Sequence, residues 1–156
     1  MTVFNPQPLQ ATIECGHIPG DKSISHRSII LASLSTNTLQ LSRFLMSDDC
    51  LNTIRIFQQL GVDITITSNT QTVVVHGVGL KGLKASNTPL DVGNSGTGIR
   101  LISGVLAGQA FQSQITGDAS IQKRPMKRII TPLTQMGALI SGQHHPNKNN
   151  HEITPP

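Results

Sequence analysis

Tryptophan and tyrosine are absent from this chain of 156 residues, and four phenylalanines are its whole aromatic complement. Binding that stacks bases needs aromatic platforms, so a nucleic-acid partner is not expected in spite of a net charge of +4. The tightest basic cluster, Lys123, Arg124, Lys127 and Arg128, suits a small anion better than a polymer track. Cysteine is almost absent too. Cys15 and Cys50 stand far apart with no C-x-x-C, which reads as reduced cytoplasmic thiols and leaves no metal-binding set. No apolar run approaches the roughly 18 residues that a membrane span needs, and no charged leader precedes one. A soluble cytoplasmic protein without a membrane partner is expected. Charged residues make up 13% of the chain, against roughly 25% in ordinary domains. So sparse a charge makes each cluster informative.

What the chain does have is a segment that occurs twice. Gly20-Asp21-Lys22-Ser23-Ile24-Ser25-His26-Arg27 and Gly93-Asn94-Ser95-Gly96-Thr97-Gly98-Ile99-Arg100 each run from a glycine through small polar residues to an arginine. Each then enters an apolar, helix-like stretch. Small residues at a helix start let unpaired N–H groups approach an anion, and the helix dipole favours its charge. Two such starts predict a ligand, or a pair of ligands, carrying phosphate or carboxylate.

The elements between them follow a period. A strand is expected over Gln10 to Cys15, and a helix without a polar face, hence buried, over Ser28 to Leu34. Thr38 to Ser42 reads as a strand. Ser47-Asp48-Asp49 caps a helix reaching Leu60, which Gly61 ends. Val62 to Thr67 and Thr72 to His76 read as a hairpin. After the strand at Leu90-Asp91-Val92 the order restarts: a helix from Ile99 to Ala107, a strand from Phe111 to Thr116, and a helix that Pro125 starts and that ends near Met136. Gly93 lies 73 residues after Gly20, and Met136-Gly137-Ala138 lies 76 after Leu60-Gly61-Val62. The fold class expected is α/β, built of repeated βαβαββ units with buried helices. Residues 20–92 form the first unit and 93–156 a second, truncated one. The closing hairpin should follow Leu139-Ile140, yet the chain turns polar at Ser141, and Ile153 to Pro156 ends like a strand cut off at its beginning.

Several motifs have plainer readings. Gly77-Val78-Gly79-Leu80-Lys81-Gly82 fits G-x-G-x-x-G, but Pro89 and polar residues follow it instead of a helix, so no dinucleotide site is expected. His144, His145 and His151 sit in an Asn/Pro-rich tail and read as loop histidines. His26 reads as a polar residue of a helix start. Asp48 and Asp49 are explained as first-turn acids, and Lys123, Lys127 and Arg128 as a solvated face. Lys22 and Arg27, flanking the first helix start, remain candidates: an ammonium acts on phosphate as a point charge, a guanidinium grips two oxygens. Ser23 reads either as a cap or as a ligand hydroxyl. Gly96 favours close ligand approach, and Arg124, held extended by Pro125, would stand ahead of the next helix start.

Taken together, Gly20 to Arg27, Gly93 to Thr97 and Lys123-Arg124-Pro125-Met126 resemble the EPSP synthase family, the 3-phosphoshikimate 1-carboxyvinyltransferases of the shikimate pathway. The resemblance runs to about Ile140 and reaches only the first third or so of the family's length. It implies two domains of three βαβαββ units each, with helix N-termini facing the cleft between them. It also implies transfer of the enolpyruvyl group of phosphoenolpyruvate to the 5-hydroxyl of shikimate 3-phosphate, without an organic cofactor. By matching motif, Lys22, Ser23 and Arg27 would bind shikimate 3-phosphate, with Lys22 also reaching phosphoenolpyruvate, while Gly96 and Arg124 would bind phosphoenolpyruvate. The small Gly96 would leave room for glyphosate as an inhibitor. Ser95 and Gly98 stand where alanine is common in the family. The acid/base carboxylates and a second set of cations would lie downstream, so this portion alone is expected to be inactive. Two alternatives are a non-catalytic anion-binding module and a related enolpyruvyl transferase or phosphate cyclase. The Lys22-Ser23 and Arg27 pattern speaks against the latter pair.

Overall fold

The computed structural model describes residues 18–142 and 151–154; the strand expected over 10–15, Cys15, His144 and His145 lie outside them. The first described helix, α1, is Lys22–Leu34, and strand β1 is Thr38–Leu41. Helix α2, Asp48–Gln59, follows from its sequence directly. Ser47 stands at its N-cap position in an extended conformation but makes no side-chain cap bond, and Asp48 and Asp49 fill its first turn, where carboxylates offset the dipole. Its apolar residues recur at helical spacing, which puts Cys50, Ile54, Phe57 and Leu60 completely inside. Each such side chain contributes roughly 1.5–3 kcal/mol by leaving water.

Gly61 stops α2 at φ +88°. Its N–H bonds to Gln58 O at 3.0 Å, and that of Val62 to Phe57 O at 3.0 Å, the paired closure of a Schellman turn. Strands β2 (Asp63–Thr67) and β3 (Thr72–His76) then form the expected hairpin around a single 3-10 turn at Ser68–Thr70. Ile64 faces Val75 and Ile66 faces Val73 across it. Alternation sends Ile64, Val73 and Val75 to the core while Asp63, Thr65 and Thr67 stay in solvent.

Strand β4 (Leu90–Asp91), helix α3 (Gly96–Ala107) and strand β5 (Ser113–Thr116) restart the pattern. Helix α5 is Lys127–Gln135, and strands β6 (Leu139–Gly142) and β7 (His151–Thr154) pair antiparallel after it. The short helix between β5 and α5, α4, spans Ala119–Gln122. The first sheet has the order β1-β3-β2 and the second β4-β5-β7-β6. In both, the strand after the first helix lies beside the last strand of the hairpin, so the wiring is the same twice. The ends of α2 and α5 also match: Gly137, at φ +103°, bonds to Thr134 O at 3.0 Å, and Ala138 to Leu133 O at 3.1 Å. The fold is thus α/β, with repeated units whose sheets bury one face against the helices. Helix α2 touches both neighbouring helices, α1 and α3. Among the described residues, no helix is long and apolar enough to cross a membrane.

Three expectations need correcting. Helix α1 is not buried all round: Ile24 and Leu31, two turns apart on one stripe, are 66% and 67% exposed because no described element packs there. Pro125 does not start a helix. The Asp118 carboxylate accepts from the N–H groups of Ser120 and Ile121, both at 2.9 Å, and so starts α4; α5 begins only after Met126. The closing hairpin, which the polar turn at Ser141 hides, is β6 with β7, where Ile140 faces the buried Ile153.

Candidate anion site at the helix starts

The two anion-type segments form the same local structure. The Asp21 carboxylate accepts from Ile24 N–H at 2.7 Å, and the Ser95 hydroxyl accepts from Gly98 N–H at 2.9 Å. Each cap satisfies the third amide of its helix. Among the described residues the amides of Lys22 and Ser23, and those of Gly96 and Thr97, have no partner. Asp21 rather than Ser23 is the cap, which leaves the Ser23 hydroxyl free of that duty.

Lys22 is the first residue of α1 rather than a flank, and Arg27 lies inside the helix. Ser23 and Arg27 lie four positions apart, so the two share one face. Lys22 and His26 share the adjoining face, which meets α2. There the Lys22 ammonium pairs with the Asp49 carboxylate, and His26 Nδ1 lies 2.7 Å from Thr53 Oγ1. Asp49 is therefore more than a dipole-favouring acid. Cys50 Sγ, 3.8 Å from Lys22 O, adds a weak contact.

The first turns of α2 also reach the second segment. Asn52 Nδ2 donates to Val92 O at 3.4 Å, and a Cβ built on Gly98 would stand 3.8 Å from Thr53 Oγ1. The start of α2 thus brackets the starts of α1 and α3. Gly20, the glycine that opens the first segment, has a packing reason: the Arg43 carbonyl occupies the space where its Cβ would stand.

At the start of α3 two guanidinium groups converge. A Cβ on Gly96 would lie 2.5 Å from Arg124 Nη1 and 3.7 Å from Arg100 Nη1. Arg124 Nη2 donates to Asn94 Oδ1 at 3.4 Å, and Asn94 Nδ2 donates to Asp118 Oδ2 at 2.5 Å. Donation from Ile121 N–H above all, with help from Asn94, Ser120 and the Arg124 charge, holds the Asp118 carboxyl below its usual pKa range. Among the described residues neither arginine ion-pairs with a carboxylate. Two cations without a direct carboxylate partner, Asp118 being reached only through Asn94, stand beside unpaired helix amides and make an electropositive site suited to an anion. Arg100 belongs here although its type alone does not single it out. Its signal is positional: it follows Gly93 by the interval that separates Arg27 from Gly20.

The remaining candidates fall elsewhere. Lys123, Lys127 and Arg128 are exposed, as expected of a solvated face. The Gly77 to Gly82 loop closes the end of α1: Val78 N–H bonds to Ser33 O at 2.9 Å and Gly79 N–H to Ser35 O at 2.7 Å. No group of three or more metal-ligating side chains occurs among the described residues.

Comparison with known proteins places the chain in a family. The family model for EPSP synthase (3-phosphoshikimate 1-carboxyvinyltransferase) matches residues 3–155. The 3-phosphoshikimate 1-carboxyvinyltransferase of Ruthia magnifica is 51% identical over 144 residues, which are 92% of this chain and 33% of that protein. That of Vesicomyosocius okutanii is 58% identical over 123 residues, 79% of this chain and 28% of the relative. Among solved structures, EPSP synthase from Acinetobacter baumannii superposes with a TM-score of 0.82 at 46% identity, covering 88% of this chain and 31% of that one. The chain therefore spans about a third of the length of the relatives it matches.

Proposed function

The chain belongs to the EPSP synthase family, and from that premise we propose that its two helix starts bind the two substrates of an enolpyruvyl transfer. The reaction moves the enolpyruvyl group of phosphoenolpyruvate to the 5-hydroxyl of shikimate 3-phosphate and releases phosphate. In this reading Lys22, Ser23 and Arg27 hold shikimate 3-phosphate, with Lys22 also reaching phosphoenolpyruvate. Gly96 and Arg124 hold phosphoenolpyruvate, and Arg100 adds charge beside them. The observation that carries the proposal is the pair of guanidinium groups over Gly96, free of carboxylate partners and next to unpaired amides. Fixed donors of this kind stabilise a phosphate or carboxylate at little reorganisation cost.

Residues 20–92 and 93–156 act as two copies of one unit, a reading supported by their matched strand order. Glyphosate, an anion of similar charge, inhibits at the Gly96 side, where no methyl group stands in its way. A cytoplasmic setting accords with Cys50 as a free, buried thiol. Proton transfer in the reaction needs acid/base groups around the reacting carbons. The described site supplies cations and amides, and its nearby carboxylates are engaged: Asp49 pairs with Lys22, Asp21 accepts from Ile24 N–H, and Asp118 accepts from Asn94 and from the amides of Ser120 and Ile121. The isolated chain is therefore a binder that does not turn over.

Titration of the chain with shikimate 3-phosphate, followed by amide NMR, tests the binding half. Resonances of Lys22, Ser23 and Arg27 should move; unmoved resonances there would defeat it. A phosphate-release assay with both substrates tests the other half. Release above background from the purified chain would overturn the claim that it does not turn over.

A further inference from the structure

Helices α1 and α2 meet through two rungs set one helical turn apart. Lys22 and His26 come from α1, Asp49 and Thr53 from α2, and the members of each pair lie four positions apart. The outer rung is the ion pair of Lys22 with Asp49, half exposed on the lysine side. The inner rung is His26 Nδ1 to Thr53 Oγ1 at 2.7 Å, with His26 at 0% and Thr53 at 1% exposure. We propose that His26 is a positioning residue: as a neutral Nδ1–H imidazole bonded to Thr53, it fixes the rotation of α1 so that Ser23 and Arg27 face the anion. This rests on the substrate reading given above.

The tautomer follows from the surroundings. Thr53 Oγ1 donates to the Asp49 carbonyl at 3.4 Å, the back-bond that a helical threonine makes to the previous turn. Its hydroxyl proton is thereby used, so it accepts from His26, which puts the ring proton on Nδ1. His26 Nε2 is enclosed and has no partner among the described residues. A second proton there would bury an N–H without an acceptor. Lys22 and Arg27 on α1 oppose that proton; Asp49 on α2 favours it, and burial, the largest influence, disfavours it. Of the neighbouring groups, Cys50 on α2 faces the Lys22 carbonyl, and α3 approaches Thr53 with Gly98, which carries no charge. His26 touches no ligand in this scheme. It acts through Lys22, Ser23 and Arg27, which its own helix carries.

Two substitutions separate positioning from mere packing. In His26→Asn the amide NH₂ stands near the place of Nδ1–H and keeps the donor, whereas His26→Phe fills the space without one. Thr53→Ser keeps the acceptor and Thr53→Val removes it. Nitrogen-15 spectra of the ring should give Nδ1 protonated and Nε2 bare at pH 7, and an Nε2–H tautomer overturns the proposal. Without any ligand, the Lys22 and Ser23 amide resonances should move in Thr53→Val and stay in Thr53→Ser; unmoved resonances in Thr53→Val also overturn it. With shikimate 3-phosphate, His26→Phe and Thr53→Val should bind about tenfold more weakly, the loss expected for one buried hydrogen bond. His26→Asn and Thr53→Ser should stay within about twofold of the parent on the same scale. Equal binding by all four variants sinks the inference. If the parent itself binds no shikimate 3-phosphate, the substrate reading fails, and the ring and amide spectra still decide the role of His26 in fixing α1.

Discussion

The guanidinium of Arg124 occupies the space that a side chain on Gly96 would need, with Nη1 2.5 Å and Cζ 3.5 Å from an ideal Cβ. Gly96 is the first residue of α3, so alanine there suits the helix and is better than glycine by up to about 1 kcal/mol. The long arginine side chain can swing aside, and the fold would tolerate the change. The ligand would not. Gly96→Ala is expected to leave the melting temperature unchanged or slightly raised while weakening binding of phosphoenolpyruvate about tenfold or more, as a misplaced donor costs. Calorimetric melting beside an equilibrium titration checks both; a parallel loss of stability and binding would contradict the split.

Lys22→Met should show a similar separation at the other helix start. The Lys22 side of its pair with Asp49 is half exposed, and pairs open to solvent contribute about 0–1 kcal/mol. Urea unfolding should therefore move by less than about 1 kcal/mol. Binding of shikimate 3-phosphate should fall at least tenfold if the ammonium meets an ionised phosphate, given about 1.5–3 kcal/mol for a charged hydrogen bond. Unchanged affinity would remove Lys22 from the site.

His26 predicts how stability responds to acid. Burial lowers its pKa in the fold below the ordinary 6.5, so the unfolded chain takes up the proton first as pH falls. Its stabilising effect is complete above about pH 6.5 and is lost as pH drops through the lowered value. Urea midpoints should decline in that window, well above the range where Asp118, also lowered, titrates. In His26→Asn the decline should flatten. An identical slope in parent and variant would mean that other groups set it.

Gly61→Ala tests the close of α2. With φ at +88° an alanine meets the left-handed penalty of roughly 1–2 kcal/mol. Its methyl would also stand 3.1 Å from Lys84 Cδ, a flexible chain that can yield. Loss of about 1–2 kcal/mol in denaturant unfolding is expected, with substrate binding intact.

Much of this was legible because it is periodic. Ile54, Phe57 and Leu60 announce α2, and the alternation of β2 and β3 announces their hairpin, since burial acts on each residue by its spacing. What escaped depends on partners distant in sequence. Asp49 reads locally as a dipole acid, and only the approach of α1 turns it into the partner of Lys22. Helix α4 is a single turn made by the Asp118 side chain, too short for any period. Strand β7 begins with His151 and Glu152, whose polarity conceals a pairing set by β5 and β6. The candidate site behaves likewise: Gly96 and Arg124 are visible as types, but their contact across 27 intervening positions belongs to the fold.

The duplicate wiring of the two sheets gives the molecule an internal control. Gly61 and Gly137 close equivalent helices with equivalent bonds, yet α2 has a buried face and α5 has no buried residue. The same alanine substitution made at each position keeps the backbone chemistry constant and varies only the surroundings. The difference between the two measured losses would then weigh what the neighbours of a turn add to its intrinsic strain, within one polypeptide and one experiment.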